Sequence, residues 1–408
     1  MFNPVNPPPM SLRSRGGASL SHAAVARGVT LVELMVGMVI GLIAVLVISQ
    51  VLLAAEGQKR ATTSGSDAQL TGALALFTLQ RDLEMTGYGL SASQIGLGCT
   101  IRALPFTTAN GGSTRLLVPA QITPGAKTGD PDTVRILASS KQSFSVPTLV
   151  TNDHPKSGAV GVTEFAVNNI VGVAAGDLMI AVPPAPDATN TCTIFRSTGV
   201  GTTPGKSIAH ASGGDPLAWN GSGSGSSQTV VSTLFPPAGY PATSYLINLG
   251  QSYIDRSYSV VKGNLVMTDF NRASSGTPTA VEIFPQVVNL RALYGKDTSA
   301  TPDGSIDVYD DVQPTTADGW ARVIAIRIAI VVRSNQYESD EVTTAEPEWD
   351  LGTAPAVTAA GAKNCGSGSG KCITLKVDGD LSAKDEWKHY RYKVYDTVIP
   401  LRNVVWRS

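Results

Sequence analysis

The chain has 408 residues, 15% of them charged, and a formal net charge of −1. Near-neutrality removes the electrostatic case for a nucleic-acid partner, and the length, well beyond a typical domain of ~100–150 residues, allows a sizeable core in one large head or two smaller units. The charged fraction lies below the ~25% of average soluble proteins, and 41 glycines with 25 prolines point to many turns.

Residues 1–28 carry Arg13, Arg15 and Arg27 and no acid. Cationic flanks stay cytoplasmic, so this stretch is expected inside and the rest outside, although Lys59 and Arg60 on the far side weaken the asymmetry. No small-residue cleavage site follows the apolar run, so it is not an ordinary secretory signal. Gly28-Val29-Thr30-Leu31-Val32-Glu33-Leu34-Met35 leads into the run from Leu34 to Ala55, 22 residues without charge or proline. That exceeds the roughly 20 residues a helix needs to cross a bilayer. Glu33 sits at the mouth of the run, and a carboxylate at mid-bilayer costs about 2.5–3.5 kcal/mol. It calls for a reason to be there.

Gly28 before an apolar residue, then Thr30, Leu31 and Glu33, resembles the class III signal of type IV prepilins and pseudopilins. Valine at 29 departs from the phenylalanine usual in that family. The resemblance implies that a prepilin peptidase cuts between Gly28 and Val29 and methylates Val29, and that Glu33 pairs with a neighbour's terminal amine during assembly. Gly37 and Gly41 form a small-xxx-small pair that lets helices approach closely.

Beyond a polar stretch from Glu56 to Asp67, helical period returns at Leu70, Leu74, Phe77 and Leu83, widened by Leu76 and Leu79. One long helix is expected, pliable near Gly57, Gly65 and Gly72 and ending at Gly87-Tyr88-Gly89. By residue type alone, Arg81 and Asp82 would solvate its outer face. From Leu90 onward, short β-rich runs separated by turn residues take over. Expected strands are Thr133 to Leu137, Leu178 to Val182, Thr229 to Leu234, Tyr245 to Leu249, Asn264 to Thr268, Val281 to Leu290 and Arg322 to Val332. In the last, Ile324, Ile326, Ile328, Ile330 and Val332 alternate with Arg327, which predicts a strand with one core face. Pro183 to Pro186 and the Gly- and Ser-rich stretch from Gly199 to Ser227 read as loops.

Four cysteines suit an exported, oxidising setting. Cys365 and Cys372 bracket a flexible Gly-Ser-Gly-Ser-Gly-Lys loop and are expected to pair, leaving Cys99 and Cys192 for each other. No Cys/His ligand spacing is present, and His154, His210 and His389 are too scattered to group. Pro204-Gly205-Lys206-Ser207 lacks the upstream glycine of a phosphate loop, and Gly221 to Gly225 lacks the serine of a nucleophile elbow. No convergent acid, base or nucleophile set appears, so an enzyme is not expected. Asp297, Asp303 and Asp307, with Asp310 and Asp311, offer hard oxygen ligands around a turn; the alternatives are a Ca²⁺ site and an acidic surface turn. No other cofactor is expected.

Leu79-Gln80-Arg81-Asp82-Leu83 followed by Gly87-Tyr88 resembles the helix end of PilW-type minor pilins and of pseudopilin J of type II secretion. Asn289-Leu290-Arg291, Tyr294-Gly295, the strand around Ile326 to Arg333, Tyr390-Arg391-Tyr392 and Pro400-Leu401-Arg402-Asn403 are similar to the closing region of the PilW type. The resemblance implies an α+β, pilin-like fold. A cleaved leader (1–28) precedes a transmembrane and assembly half-helix (29–55), an amphipathic half (56–88) and a β-rich periplasmic head with long loops (89–408). It also implies a structural role in type IV pilus assembly and twitching motility, first in the inner membrane and then in the fibre. Expected partners are other minor pilins, the major pilin, the prepilin peptidase and the inner-membrane assembly platform. The alternatives are a type II secretion pseudopilin and, from another class, a tip-displayed adhesin acting through the unmatched middle.

Overall fold

The computed structural model describes residues 28–90, 94–102, 115–141, 146–154, 163–202, 205–211, 219–220, 235–270 and 278–405. The leader residues 1–27, the strand expected at Thr229 to Leu234 and the Gly221 to Gly225 stretch lie outside them. The fold is α+β, with an N-terminal apolar helix and a β-rich body of several sheets. Two units divide at residues 59 and 60, and helix α1, Leu31–Glu84, contributes to both.

In the first unit, Leu31–Lys59 is 29 residues long with a mean hydropathy of 2.8, long and apolar enough to cross a membrane. At 1.5 Å per residue it measures roughly 44 Å, against a hydrocarbon core of about 30 Å. Its large apolar side chains, from Leu31 to Leu53, are exposed.

In the second unit, α1 buries only part of the set that its large apolar residues mark. Ala75, Leu79 and Leu83, four residues apart, are fully buried, while Leu70, Leu74 and Phe77 are 62%, 47% and 62% exposed. A residue's neighbours decide here, not its hydrophobicity. Gly72 and Ala75 are small enough to let the sheet come close, and a Cβ on Gly72 would stand 2.3 Å from the Tyr395 ring. Gly72 is therefore a contact glycine and not merely a pliable one. Full burial of Leu79 and Leu83 contributes about 1.5–3 kcal/mol each, as an upper bound.

Sheet I runs, edge to edge, through Arg115–Leu116, Thr100–Arg102, Cys192–Arg196, Leu178–Val182, Tyr245–Gly250 and Thr148–Leu149. Sheet II runs through Thr279–Phe284, Asn264–Asp269, Tyr253–Val261, Thr133–Ser139 and Ala120–Thr123. Sheet III runs through Ala356–Val357, Val308–Asp310, Val287–Lys296, Val323–Arg333 and Tyr392–Pro400. Two three-stranded sheets complete the body: sheet IV (Glu164–Ala166, Ser207–Ala209, Gly199–Gly201) and sheet V (Glu348–Gly352, Lys371–Thr374, Ala362–Asn364).

Three strand expectations are corrected. Val323–Arg333 is buried on both faces: Ile326, Ile328, Ile330 and Val332 join the core that holds Ala75, Leu79 and Leu83, while Ala329 and Val331 join a second core with Trp349, Ile373 and Leu375. Alternating isoleucines mark one face clearly, but alanine and valine between them also pack when sheet V covers the reverse side. The run Val281 to Leu290 splits at Pro285-Gln286 into Thr279–Phe284 of sheet II and Val287–Lys296 of sheet III, with Gln286 at a φ of 58°. Proline has no N–H to give a ladder, so the chain changes sheets there. Gly199–Gly201 and Ser207–Ala209 are strands, antiparallel to each other, where a continuous loop was expected.

Candidate functional site

The N-terminal stretch is exposed and begins as a capped helix. The hydroxyl of Thr30 accepts a hydrogen bond from the Glu33 N–H at 3.3 Å, and the Thr30 carbonyl accepts from the Leu34 N–H at 3.1 Å. Thr30 to Glu33 is the spacing of a capping box, and an acid in the first turn suits the positive end of the helix dipole. The signal was present in the sequence as Thr-x-x-Glu. Among the described residues, no side chain lies within 4 Å of where a Cβ on Gly28, Gly37 or Gly41 would stand.

At its other end α1 is built into the body. Asp82 is only 3% exposed, which corrects its expected place on the outer face; Arg81, 64% exposed, does lie outside. The Tyr258 hydroxyl donates to Asp82 Oδ2, and Arg256 Nη1 stands 3.2 Å from the same oxygen. Burial, then the Asp82 carboxylate, holds the Tyr258 hydroxyl protonated well above its usual range. Burial opposes the charge of Arg256, but Tyr258 and Asp82 outweigh it and raise its pKa.

The last turn leaves carbonyls without intrahelical partners. Asn403 Nδ2 reaches those of Glu84, Met85 and Thr86 at 3.4, 3.4 and 3.0 Å. Gly87, at a φ of 76°, donates its N–H to the Leu137 carbonyl at 2.8 Å. The Tyr88 carbonyl accepts from the Ser139 N–H at 2.8 Å, so the exit from the helix is stitched to sheet II.

A second polar framework ties sheet III to the loop before Thr133. Arg291, 2% exposed, places Nη1 2.7 Å from Asp132 Oδ1, and Asn289 Nδ2 donates to the Gly129 and Lys376 carbonyls at 2.8 and 2.6 Å. Burial pushes Asp132 up to about 6 against the pull of Arg291. Arg333 pairs with Asp380 at 2.8 Å, and the Tyr294 hydroxyl accepts from the Ile122 N–H at 2.7 Å. Leu290, Tyr294, Ile326 and Leu401, from segments that read as scattered short motifs, share one apolar core with Leu83 of the helix end.

Both disulfides are formed. Cys99 and Cys192 have Cα atoms 5.9 Å apart and tie the residue before Thr100–Arg102 to the neighbouring strand Cys192–Arg196 of sheet I, and Cys365 and Cys372, 5.1 Å apart, close the glycine-serine loop of sheet V. The acidic turn does not gather ligands. Asp297 accepts from the N–H groups of Ser299, Asp303 and Gly304, and Asp307 from Thr298 and the Ser299 hydroxyl. Among the described residues the one grouping of metal-ligating types is Asp350, Cys365 and Cys372, whose two sulfurs are bonded to each other. Lys206 Nζ donates to the Asn168 carbonyl at 3.0 Å, and Ser207 opens a strand, so no helix N-terminus follows as a phosphate loop requires. A groove of about 560 Å³ passes Glu346, Lys376, Asp378, Lys384, Asp385 and Trp387. Some of its charges are paired, Lys376 with Glu346 at 2.8 Å and Asp385 with the neighbouring Lys388 at 3.3 Å.

Residues 251–403 match the PilW family model, described as Type IV Pilus-assembly protein W. This supports assigning the chain to the PilW type. The match contains Arg256, Tyr258 and Asn403, so the residues that grip the end of α1 lie inside the PilW segment while α1 lies outside it. It begins at residue 251, ahead of the closing region read from sequence. The PilW match indicates involvement in type IV pilus assembly. No curated protein and no solved structure matches the chain.

Sequence reading of the PilW-type residues found Asp82 and Asn403 but none of their partners. Arg256 and Tyr258 lie on a strand whose alternation is mixed, and nothing local links them to a helix 174 and 176 residues earlier. His154 and His210, which sequence spacing kept apart, meet in the structure with Nε2 atoms 2.9 Å apart.

Proposed function

We propose that this chain is a minor pilin of the PilW type that takes part in assembling the type IV pilus. It is held first in the inner membrane by Leu31–Lys59 with its body in the periplasm, then drawn into the fibre through α1. The observation that carries this reading is the division of α1 itself. One stretch, Leu31–Lys59, is apolar with its large side chains exposed, while Ala75, Leu79, Asp82 and Leu83 are buried in a body that carries the PilW match. An apolar helix exposed in a single chain needs lipid or other helices around it. In the second unit, Leu70, Leu74 and Phe77 of α1 are exposed apolar side chains as well.

In this account the prepilin peptidase cleaves between Gly28 and Val29 and methylates Val29. Glu33 then finds its partner in the terminal amine of a neighbouring subunit, where low dielectric makes a well-placed ion pair strong and an unpaired carboxylate costly. Gly37 and Gly41 permit close helix packing. The partners are other minor pilins, the major pilin and the assembly platform. The chain works by packing, without a catalytic step of its own.

The test is to follow Glu33→Ala in cells. The variant is expected in membranes at normal amounts but depleted from sheared pili, and equal amounts in sheared pili would count against the assembly role. A bulky replacement of Gly28 is expected to leave a heavier, uncleaved species.

A further inference from the structure

His154 follows Thr148–Leu149 at the edge of sheet I, and His210 follows Ser207–Ala209 of sheet IV. Both are buried, 5% and 4% exposed, and their Nε2 atoms face each other at 2.9 Å. At that distance one ring donates its Nε2–H and the other accepts on a lone pair, which requires at least one neutral imidazole. The rings sit in an aromatic pack. His154 stacks on Phe165 with centroids 3.8 Å apart, and Phe235 meets His154 and His210 edge-on at 5.0 and 5.6 Å. Phe195 approaches His210 edge-on at 5.6 Å. Backbone bonds fix both residues: the His154 N–H donates to the Tyr240 carbonyl at 2.7 Å, and the His210 N–H to that of Thr163 at 2.6 Å.

We propose that the His154–His210 contact is an acid-sensitive latch that holds sheet IV on sheet I and opens when both imidazoles are protonated, uncovering Phe165, Phe195 and Phe235. A first proton puts a charge into an aromatic cage. A second turns both Nε2 atoms into donors, leaving the bond without an acceptor and two positive charges in contact.

Among the described residues, the acids on the surrounding elements are exposed or engaged elsewhere. Asp153 is exposed and accepts from the Ala242 N–H at 2.8 Å, Glu164 is exposed, and Asp177 pairs with Lys141 at 3.1 Å. Of the basic groups, Lys206 is exposed with its ammonium on the Asn168 carbonyl, and half-buried Arg196 and exposed Arg102 add only positive charge. The Tyr240 hydroxyl is taken up by the Thr193 hydroxyl and the Thr191 carbonyl at 2.8 and 3.0 Å. Among the described residues the charge that acts on His210 is that of His154.

Burial, then His154, lowers His210 from 6.5 to about 3. A histidine whose folded value is depressed gives stability that is fully present above 6.5 and is lost as pH falls towards 3. At pH 4.5 this one group shifts the opening equilibrium roughly a hundredfold.

The test is amide hydrogen exchange on the full chain in detergent micelles at pH 7.5 and 4.5, with labelling times scaled for intrinsic exchange. Peptides covering 163–167, 207–211 and 240–249 are expected to lose protection at pH 4.5 and regain it at 7.5, while 326–332 stay protected throughout. His210→Gln, which can still hydrogen-bond to His154 but does not titrate, is expected to reduce the loss at least tenfold. Equal protection of the sheet I and IV peptides at both pH values, or loss spread evenly over 326–332 as well, would overturn the latch. Should His210→Gln not fold, the wild-type comparison decides alone by those same criteria.

Discussion

The hydroxyl of Tyr258 donates to the carboxylate of Asp82, 176 positions earlier in the chain, and Arg256 holds the same oxygen. This contact makes the end of α1 part of the body. Arg256 is 29% exposed and also pairs with Asp269 at 3.3 Å, so removing Asp82 mainly leaves the buried Tyr258 hydroxyl without its acceptor. Asp82→Ala is therefore expected to lower the stability of the body by about 1–3 kcal/mol in urea titrations of the detergent-solubilised chain. Tyr258→Phe should cost about 1–3 kcal/mol, the penalty for leaving a buried acceptor short of its donor. Arg81→Ala, on the exposed side, should stay within about 0.5 kcal/mol.

Gly72 tests whether the helix is seated by close approach. Alanine favours a helix interior by about 1 kcal/mol over glycine, yet a Cβ at 72 would stand 2.3 Å from Tyr395. Gly72→Ala is expected to destabilise by about 1–3 kcal/mol through overpacking. In a Tyr395→Ala background the same change should become neutral or stabilising. A gain from Gly72→Ala alone would show that the ring moves aside freely.

The exposed stripe of Leu70, Leu74 and Phe77 tests whether folding and assembly use different faces of α1. Phe77, 62% exposed, adds little to the body. Phe77→Ser should leave the urea midpoint within about 0.5 kcal/mol of wild type while lowering the amount recovered in sheared pili. Normal recovery would mean that this face is not used in the fibre.

The two disulfides should differ in weight. Cys99 and Cys192 close a separation of 93 residues and Cys365 and Cys372 one of 7. Chain entropy gives about 4–5 kcal/mol for the long loop and roughly half that for the short one. Replacing Cys99 and Cys192 together by serine should lower the thermal midpoint more than replacing the other pair. The reverse order would contradict the loop-length argument.

Much of the molecule was legible in the sequence where one residue type carries the information alone. The uncharged run before Ala55, the turn at Gly87-Tyr88-Gly89 and the β-rich body are of this kind, and Leu178–Val182 was read to the residue. The buried face of α1 was legible only in Leu79 and Leu83. Leu70 and Phe77 look like core residues, and Gly72 and Ala75 do not, until the neighbouring Tyr395 is known. The split at Pro285 was visible as a proline in a strand pattern, but the change of sheet was not. Asp82 was read as part of the PilW-like helix end, but its burial was not visible because Arg256 and Tyr258 are far away in sequence. The His154–His210 pair was invisible for the same reason: pairing across sheets leaves no spacing to read.

The central claim, processing and assembly as a minor pilin, is tested most directly by the mass of the mature N-terminal peptide of the protein isolated from cells. The account predicts a peptide that starts at Val29 and carries one added methyl group. A peptide that retains Gly28 and residues before it, or one that begins elsewhere, would contradict it.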